Sequence, residues 1–304
     1  NGLLNNGDEK TEVRDTKREN NLSVHICKKL PSDVNAKFIA KINTKSRTAT
    51  ECNHTATHLL HEALREVLGS HVEQKGSFVS PQVLRFDFSH FQKVTDEEIR
   101  KVERYVTAKI RENLPQLESR NIPISEAKNM GAMALFGEKY GEEVRVIRFG
   151  NSVELCGGTH IASTGKIGTF RILNESSIAA GIRRIEAITA EACEDFLYMQ
   201  QDVLAELKSL VNNAPNLLQA FHKFFDENVE MKKKLEDYVK EKTVMLKENV
   251  VKSQVDINGT TTFILRGNLP AEIAKDIAFQ LRGEYPEHSA FIGATIVSNK
   301  PTIT

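Results

Sequence analysis

The chain has 304 residues and balances 41 Lys and Arg against 41 Asp and Glu, for a formal net charge of +0. That balance excludes nucleic-acid binding driven by overall charge and leaves room only for a local basic patch. A composition of 40% hydrophobic and 27% charged residues excludes wholesale disorder, and no apolar run approaches the roughly eighteen residues of a membrane span. The length suffices for two or three domains. Four scattered cysteines, Cys27, Cys52, Cys156 and Cys193, form no disulfide framework, so a reducing compartment and a cytoplasmic location are expected. The chain opens on Asn1-Gly2 without Met and closes on a strand-like stretch, so it is expected to be a piece of something larger.

In chain order, Asn1 to Asn21 is rich in Asn, Gly and charge and reads as loop. Leu22–Cys27 and Val34–Ile42 alternate apolar and polar residues, as half-buried strands do. Residues 48–68 carry the clearest helical stripe, Leu59, Leu60, Ala63, Leu64, Val67 and Leu68, with Thr48 or Thr50 as the expected cap and Gly69 as the stop. A hairpin follows, with its turn expected at Lys75-Gly76-Ser77 and its second strand at Val83–Phe88. Thr95-Asp96-Glu97-Glu98 is a capping box, and Pro115 bars the helix it opens from running past about Asn113. Strands are expected near Leu117–Ile124, Val144–Phe149, Ser152–Leu155, Gly168–Leu173 and Ile182–Thr189, with short helices from Ser125 and over Ala132–Phe136. Strands and helices mix without a βαβ repeat, which predicts an α+β fold with a mainly antiparallel sheet.

From Ala190 a helical stripe (Phe196, Val203, Leu204, Leu207, Leu210) breaks at Asn212–Asn216 and resumes at Leu217, Phe221, Phe224, Phe225, Leu235, Tyr238 and Leu246. This predicts an antiparallel helical hairpin. Strand 261–266, helix 270–282 and strand 290–297 then read as part of a small α/β unit. The expected division is 1–46, a partial β unit; 47–190, the main domain; 191–250, the hairpin; and 251–304, the α/β part.

Two short motifs carry chemistry. His54 and His58 stand at i and i+4 on the 48–68 helix, and Cys156 and His160 stand at the same spacing around Gly157-Gly158 at a strand end. Either pair alone reads as ordinary polar residues. Together they make an N/N/S/N set suited to tetrahedral Zn²⁺. No Glu follows His54, which excludes the HExxH protease reading. Four protein ligands fit a closed structural site, whereas three and a water would supply a nucleophile; the residue types leave both readings open.

The motifs His54–His61, Gln74–Ser77, Leu84–Phe88, Gly131–Tyr140, Cys156–His160 and Gly181–Ala187 occur in an order that closely resembles the editing domain of bacterial alanyl-tRNA synthetases, over about residues 47–190. More loosely, residues 1–46 resemble the end of the preceding β-barrel, 191–250 the helical linker and 251–304 the start of the C-terminal domain. The resemblance implies a zinc-dependent hydrolase that cleaves the ester of tRNA(Ala) mischarged with Ser or Gly. It implies one Zn²⁺ held by His54, His58, Cys156 and His160. Thr57 and Gln74 are the candidates for catalytic contacts to the substrate hydroxyl or the attacking water, and His61 stands either behind the ligands or on the helix surface. Arg183, Arg184 and Arg85 are candidates for the tRNA 3′ end; Arg183 and Arg184, adjacent on a strand, are expected to face opposite ways. ATP and Mg²⁺ belong to an aminoacylation core whose motifs this chain lacks, so it is not expected to charge tRNA. A module for tRNA docking or dimerisation through the hairpin, with a purely structural zinc, is the alternative.

Overall fold

A computed structural model describes residues 2–20, 22–133, 141–297 and 300–303. It divides into two compact units, Asn1–Val203 and Leu204–Thr304. The mixture of antiparallel sheets and separate helices is the expected α+β class.

The first unit opens with a four-stranded sheet of order β3-β2-β1-β4, formed by β1 (Gly2–Asn5), β2 (Lys10–Glu19), β3 (Leu22–Cys27) and β4 (Ile39–Ile42). The loop expected over Asn1–Asn21 is therefore a hairpin. The Asn5 and Asn6 side chains accept from the Gly7, Asp8 and Glu9 amides and close the turn, so the Asn and Gly content marks the connection and not the whole segment. Among the described side chains of β2 only Thr11 and Val13 are buried, which is why its charged sequence hid the strand. The strand expected over Val34–Ile42 is confined to β4.

Helix α1 (Thr44–Leu68) starts four residues before the expected Thr48, because the Asn43 side chain accepts from the Ser46 amide and caps it. It ends at Gly69, whose φ of 117° favours glycine. The hairpin β5 (Gln74–Val79) and β6 (Leu84–Ser89) does not turn at Lys75-Gly76-Ser77. Those residues lie within β5, at a register shift between Gln74 and Gly76, and the turn forms at Ser80–Val83. A strand glycine here signals a bulge rather than a reversal.

Helix α2 (Asp96–Arg111) has the expected capping box, with Thr95 and Glu98 bonding reciprocally. Strands β7 (Leu117–Pro123), β8 (Glu143–Phe149) and β9 (Ser152–Leu155) form one antiparallel sheet, with α3 (Ile124–Asn129) beside β7 and β8. Strands β10 (Phe170–Ala179) and β11 (Ile182–Thr189) complete a sheet of order β10-β11-β6-β5. The helix expected over Ala132–Phe136 runs into residues 134–140, outside the described residues; Met133 forms a bridge to Glu154.

Helix α1 contacts β5, β6 and β11 of one sheet and β9 of the other. Its Leu59, Leu60, Ala63 and Leu64 share a core with Phe86, Phe88, Val102, Val106, Ile147, Phe149 and Ile185. Each large side chain fully buried there contributes roughly 1.5–3 kcal/mol. Axial position along the sheet is fixed by Asn53, 1% exposed, which donates to the Ser80 carbonyl at 2.8 Å and accepts from the Thr189 hydroxyl at 2.7 Å.

Helices α4 (Ala190–Leu210) and α5 (Leu217–Lys252) form on either side of the expected break. Of the predicted stripe residues, Val203, Leu204, Phe224, Phe225, Leu235 and Tyr238 are exposed, while Phe196, Leu207, Phe221 and Leu246 are half-buried. Periodicity sets the face of a helix and leaves open what covers it. In the second unit, β12 (Val255–Ile257), β13 (Thr260–Gly267), β14 (Ser289–Val297) and β15 (Lys300–Ile303) make one sheet. Helix α6 (Ala271–Glu284) crosses between the parallel pair β13 and β14 and buries Ile273, Ala274, Ile277 and Leu281.

Candidate metal centre

The two i, i+4 motifs meet. Helix α1 presents His54 and His58, and the turn leaving β9 presents Cys156 and His160; one ligand atom from each lies within 4.8 Å of the others. The Cys156 sulfur is 3.4 Å from His54 Nε2 and 3.3 Å from His160 Nε2. All four residues of β9 are buried, so the strand delivers Cys156 from a fixed platform. Arg145 on β8 then shapes the turn, donating from Nη1 to the Cys156 carbonyl at 2.9 Å and to the Gly158 carbonyl at 2.5 Å. Gly158 has to be glycine for space: a Cβ there would lie 2.7 Å from His54 Nδ1 and closer still to Cε1.

The surrounding groups set which ring nitrogen faces the centre. His54 Nδ1 lies 3.0 Å from the Thr159 carbonyl, which can only accept, so Nδ1 carries the hydrogen and Nε2 offers its lone pair. His160 Nδ1 lies 3.1 Å from the Thr55 hydroxyl, and that hydroxyl accepts from the Ile161 amide at 3.3 Å. His58 Nδ1 is 3.4 Å from Glu154 Oε2, and His61 Nδ1 is 2.9 Å from Glu154 Oε1. His61 is thus buried behind the ligands, against the Phe86 ring, and not on the helix surface.

Burial is the main reason all three ligand imidazoles resist protonation. His54 is lowered from its ordinary value, with the Thr159 carbonyl opposing and Arg145 assisting. His58 is lowered well below it, by burial first and then by the His160, His54 and His61 rings. His160 is brought down to about 3, by burial and then His54. Neutral imidazoles are the form a soft or borderline dication needs, and a cysteine beside them would bind it as the thiolate. The donor set, the Nε2 orientation and the spacing all fit Zn²⁺.

Residues 144–186, which include most of β8, all of β9, Cys156 and His160, match the family described as the threonyl and alanyl tRNA synthetase second additional domain. The chain is 60% identical over 302 residues to the alanine–tRNA ligase of Parabacteroides distasonis, covering 99% of this chain and 35% of that relative. It is 57% identical over 303 residues to that of Bacteroides fragilis and 47% identical over 305 residues to that of Cytophaga hutchinsonii, with 35% of each relative covered. By sequence, nearly the whole chain is similar to a segment of alanyl-tRNA synthetases. It spans about a third of the length of the curated relatives it matches. Among the described residues no helix is long and apolar enough to cross a membrane.

The remaining site residues expected from this family are placed as follows. Thr57, 4% exposed, donates its hydroxyl to the Asn53 carbonyl at 2.9 Å within α1. Gln74 sits opposite Phe88 on β5, and its amide donates to the Ser77 hydroxyl at 3.1 Å. Arg183 and Arg184 face opposite ways, as expected. Arg183 pairs with Glu175, its Nη2 donating at 2.7 Å, and Arg184 grips Asp87 with two bonds of 2.7 and 2.8 Å. Arg85 lies 4.5 Å over the Phe78 ring, its cross-strand neighbour. All three guanidinium groups therefore have partners within the sheet. Sequence reasoning missed Glu154, Thr55 and Arg145. The only local signal was a charged residue in the otherwise apolar run Val153–Leu155, too common a pattern to single out.

Proposed function

We propose that this chain is a tRNA-editing hydrolase that cleaves the ester of tRNA(Ala) mischarged with Ser or Gly. The observation that carries the reading is the convergence of His54 and His58 with Cys156 and His160, the latter pair lying within the residues matched to a tRNA-synthetase additional domain. These four residues would hold one Zn²⁺, which supplies a positive centre for orienting the acyl ester or its attacking water. The turn at Gly157-Gly158 lets backbone come close to a substrate. Thr57 spends its hydroxyl hydrogen on Asn53 and keeps lone pairs that can accept from a serine hydroxyl or a water. Gln74 offers an amide for the same purpose from the neighbouring sheet. A hydroxyl-recognising pair of this kind discriminates serine from alanine far better than shape does. Arg184 and Arg85 are placed on the sheet face away from the core, with donors to spare for the tRNA 3′ end, and Arg183 lies on the core face.

A second reading is favoured by one specific feature: four protein ligands close a tetrahedron, as in structural zinc sites. The chain would then be a tRNA-docking or dimerisation module, with the exposed stripes of α4 and α5 as its contact surface. Deacylation separates the two. The editing reading expects release of serine and glycine from Ser-tRNA(Ala) and Gly-tRNA(Ala), little release of alanine from Ala-tRNA(Ala), and loss of both zinc and hydrolysis in Cys156→Ala/His160→Ala. Tight tRNA binding with no hydrolysis of any ester would establish the docking module instead.

A further inference from the structure

We infer that Glu154 is a positioning residue for the metal centre: locked in place by His61, it holds His58 in the form that presents Nε2 to the ion. This rests on the reading of His54, His58, Cys156 and His160 as metal ligands.

Glu154 is 2% exposed, and a carboxylate that deep is costly unless it is compensated. Among the described residues no Lys or Arg reaches it. Its side-chain partners are two imidazoles of one helix, His58 and His61, each turning Nδ1 toward it. At i and i+3 on α1 both rings lie on the same face. Strand β9 fixes the carboxylate, since Glu154 pairs with Ile147 across the sheet, two residues before Cys156. One strand therefore carries the group that orients one ligand and leads directly into another, Cys156.

The two contacts differ in kind. His61 Nδ1 makes a proper hydrogen bond at 2.9 Å, and its ring is packed 5.2 Å from the Phe86 ring centroid. His61 is outside the ligand group, so its task is to aim Glu154. His58 Nδ1 stands 3.4 Å from the other carboxylate oxygen, too poorly aligned for a full hydrogen bond, and among the described residues that buried nitrogen has no other hydrogen-bond partner. Glu154 is thus the acceptor in reach when the ring turns its Nε2 to an ion. The other two histidine ligands have neutral acceptors behind them, a carbonyl and a hydroxyl. Only His58 is backed by a carboxylate, which raises its basicity and sets a negative group against a dication bearing one thiolate.

The amide of Gln at this position has the same shape but can accept on only one side. Its NH₂ would oppose an Nδ1–H on one ring and drive that ring toward the Nε2–H tautomer, which cannot bind metal. Zinc affinity is measured on the full chain by competition with a chromophoric chelator, and the ring tautomers of the metal-free protein by ¹⁵N-histidine NMR. Glu154→Gln is expected to bind zinc about 10–100-fold more weakly, with a histidine resonance moving to the Nε2–H form. His61→Asn, which keeps a donor near the Nδ1 position, is expected to bind like the parent, whereas His61→Phe, which fits beside Phe86 without a donor, is expected to weaken binding as Glu154→Gln does. Should Glu154→Gln fail to give the parent's circular dichroism, the two His61 variants carry the test alone. Parent-like affinity and tautomers in Glu154→Gln, or equal losses in His61→Asn and His61→Phe, would overturn the assignment and leave the metal site standing. A parent protein that binds no zinc would overturn both. Neither readout depends on deacylation, so the editing reading is tested separately.

Discussion

Gly158→Ala should dismantle the centre while adding a single methyl group. No positive φ restricts Gly158; the constraint is space. The added Cβ would stand 2.7 Å from His54 Nδ1 and nearer to Cε1, whereas carbon contacts settle near about 3.5–4.0 Å, so the ring has to retreat by roughly 1 Å. Metal–ligand distances tolerate only about 0.2 Å, so His54 ceases to be a ligand. If apparent zinc free energies of about 10–16 kcal/mol are shared among four ligands, the loss is roughly 3 kcal/mol, or about two orders of magnitude in Kd. His54 is only half-buried, so its ring can swing away and the metal-free fold should lose no more than roughly 1 kcal/mol. Gly157→Ala is the internal control, because nothing lies within 4 Å of its would-be Cβ. Chelator competition on both variants, with urea unfolding of the metal-free forms, reads the two quantities separately. Parent-like zinc affinity in Gly158→Ala, or an equal loss in Gly157→Ala, would refute the steric argument.

Two further outcomes follow from the charges. His160 is lowered to about 3 in the folded protein and returns to about 6.5 on unfolding, so the unfolded chain takes up the proton first as pH falls. The metal-free fold should keep this contribution above about pH 6.5 and lose roughly 1.4 kcal/mol per pH unit between there and about pH 3; urea midpoints should fall more steeply with acid in the parent than in His160→Asn, and identical slopes would contradict the assignment. The two adjacent arginines should differ in worth: Arg183→Met leaves Glu175, whose side chain is 7% exposed, without its partner and should cost roughly 2–4 kcal/mol, whereas Arg184→Met releases the more accessible Asp87 pair and should cost clearly less, both read from denaturant midpoints.

The sequence by itself singled out the four candidate ligands, because each pair is local. Spacing of i and i+4 puts His54 and His58 on one helix face whatever surrounds them, and the Gly-Gly between Cys156 and His160 is a turn in any context. It determined the capping box at Thr95–Glu98 and the core stripe of α1 for the same reason. Local readings failed where partners are distant in the chain. The charged β2 is a strand because β1 and β3 satisfy its backbone, and Lys75-Gly76-Ser77 is a bulge because β6 runs past it. Exposure of the α4 and α5 stripes was equally beyond a periodicity argument. Only the tertiary structure could decide that the two motifs converge, that His61 is buried, and that Glu154 stands behind both His58 and His61. A buried carboxylate looks like any other Glu in sequence; what it does follows from which two rings the fold places beside it at 2% exposure.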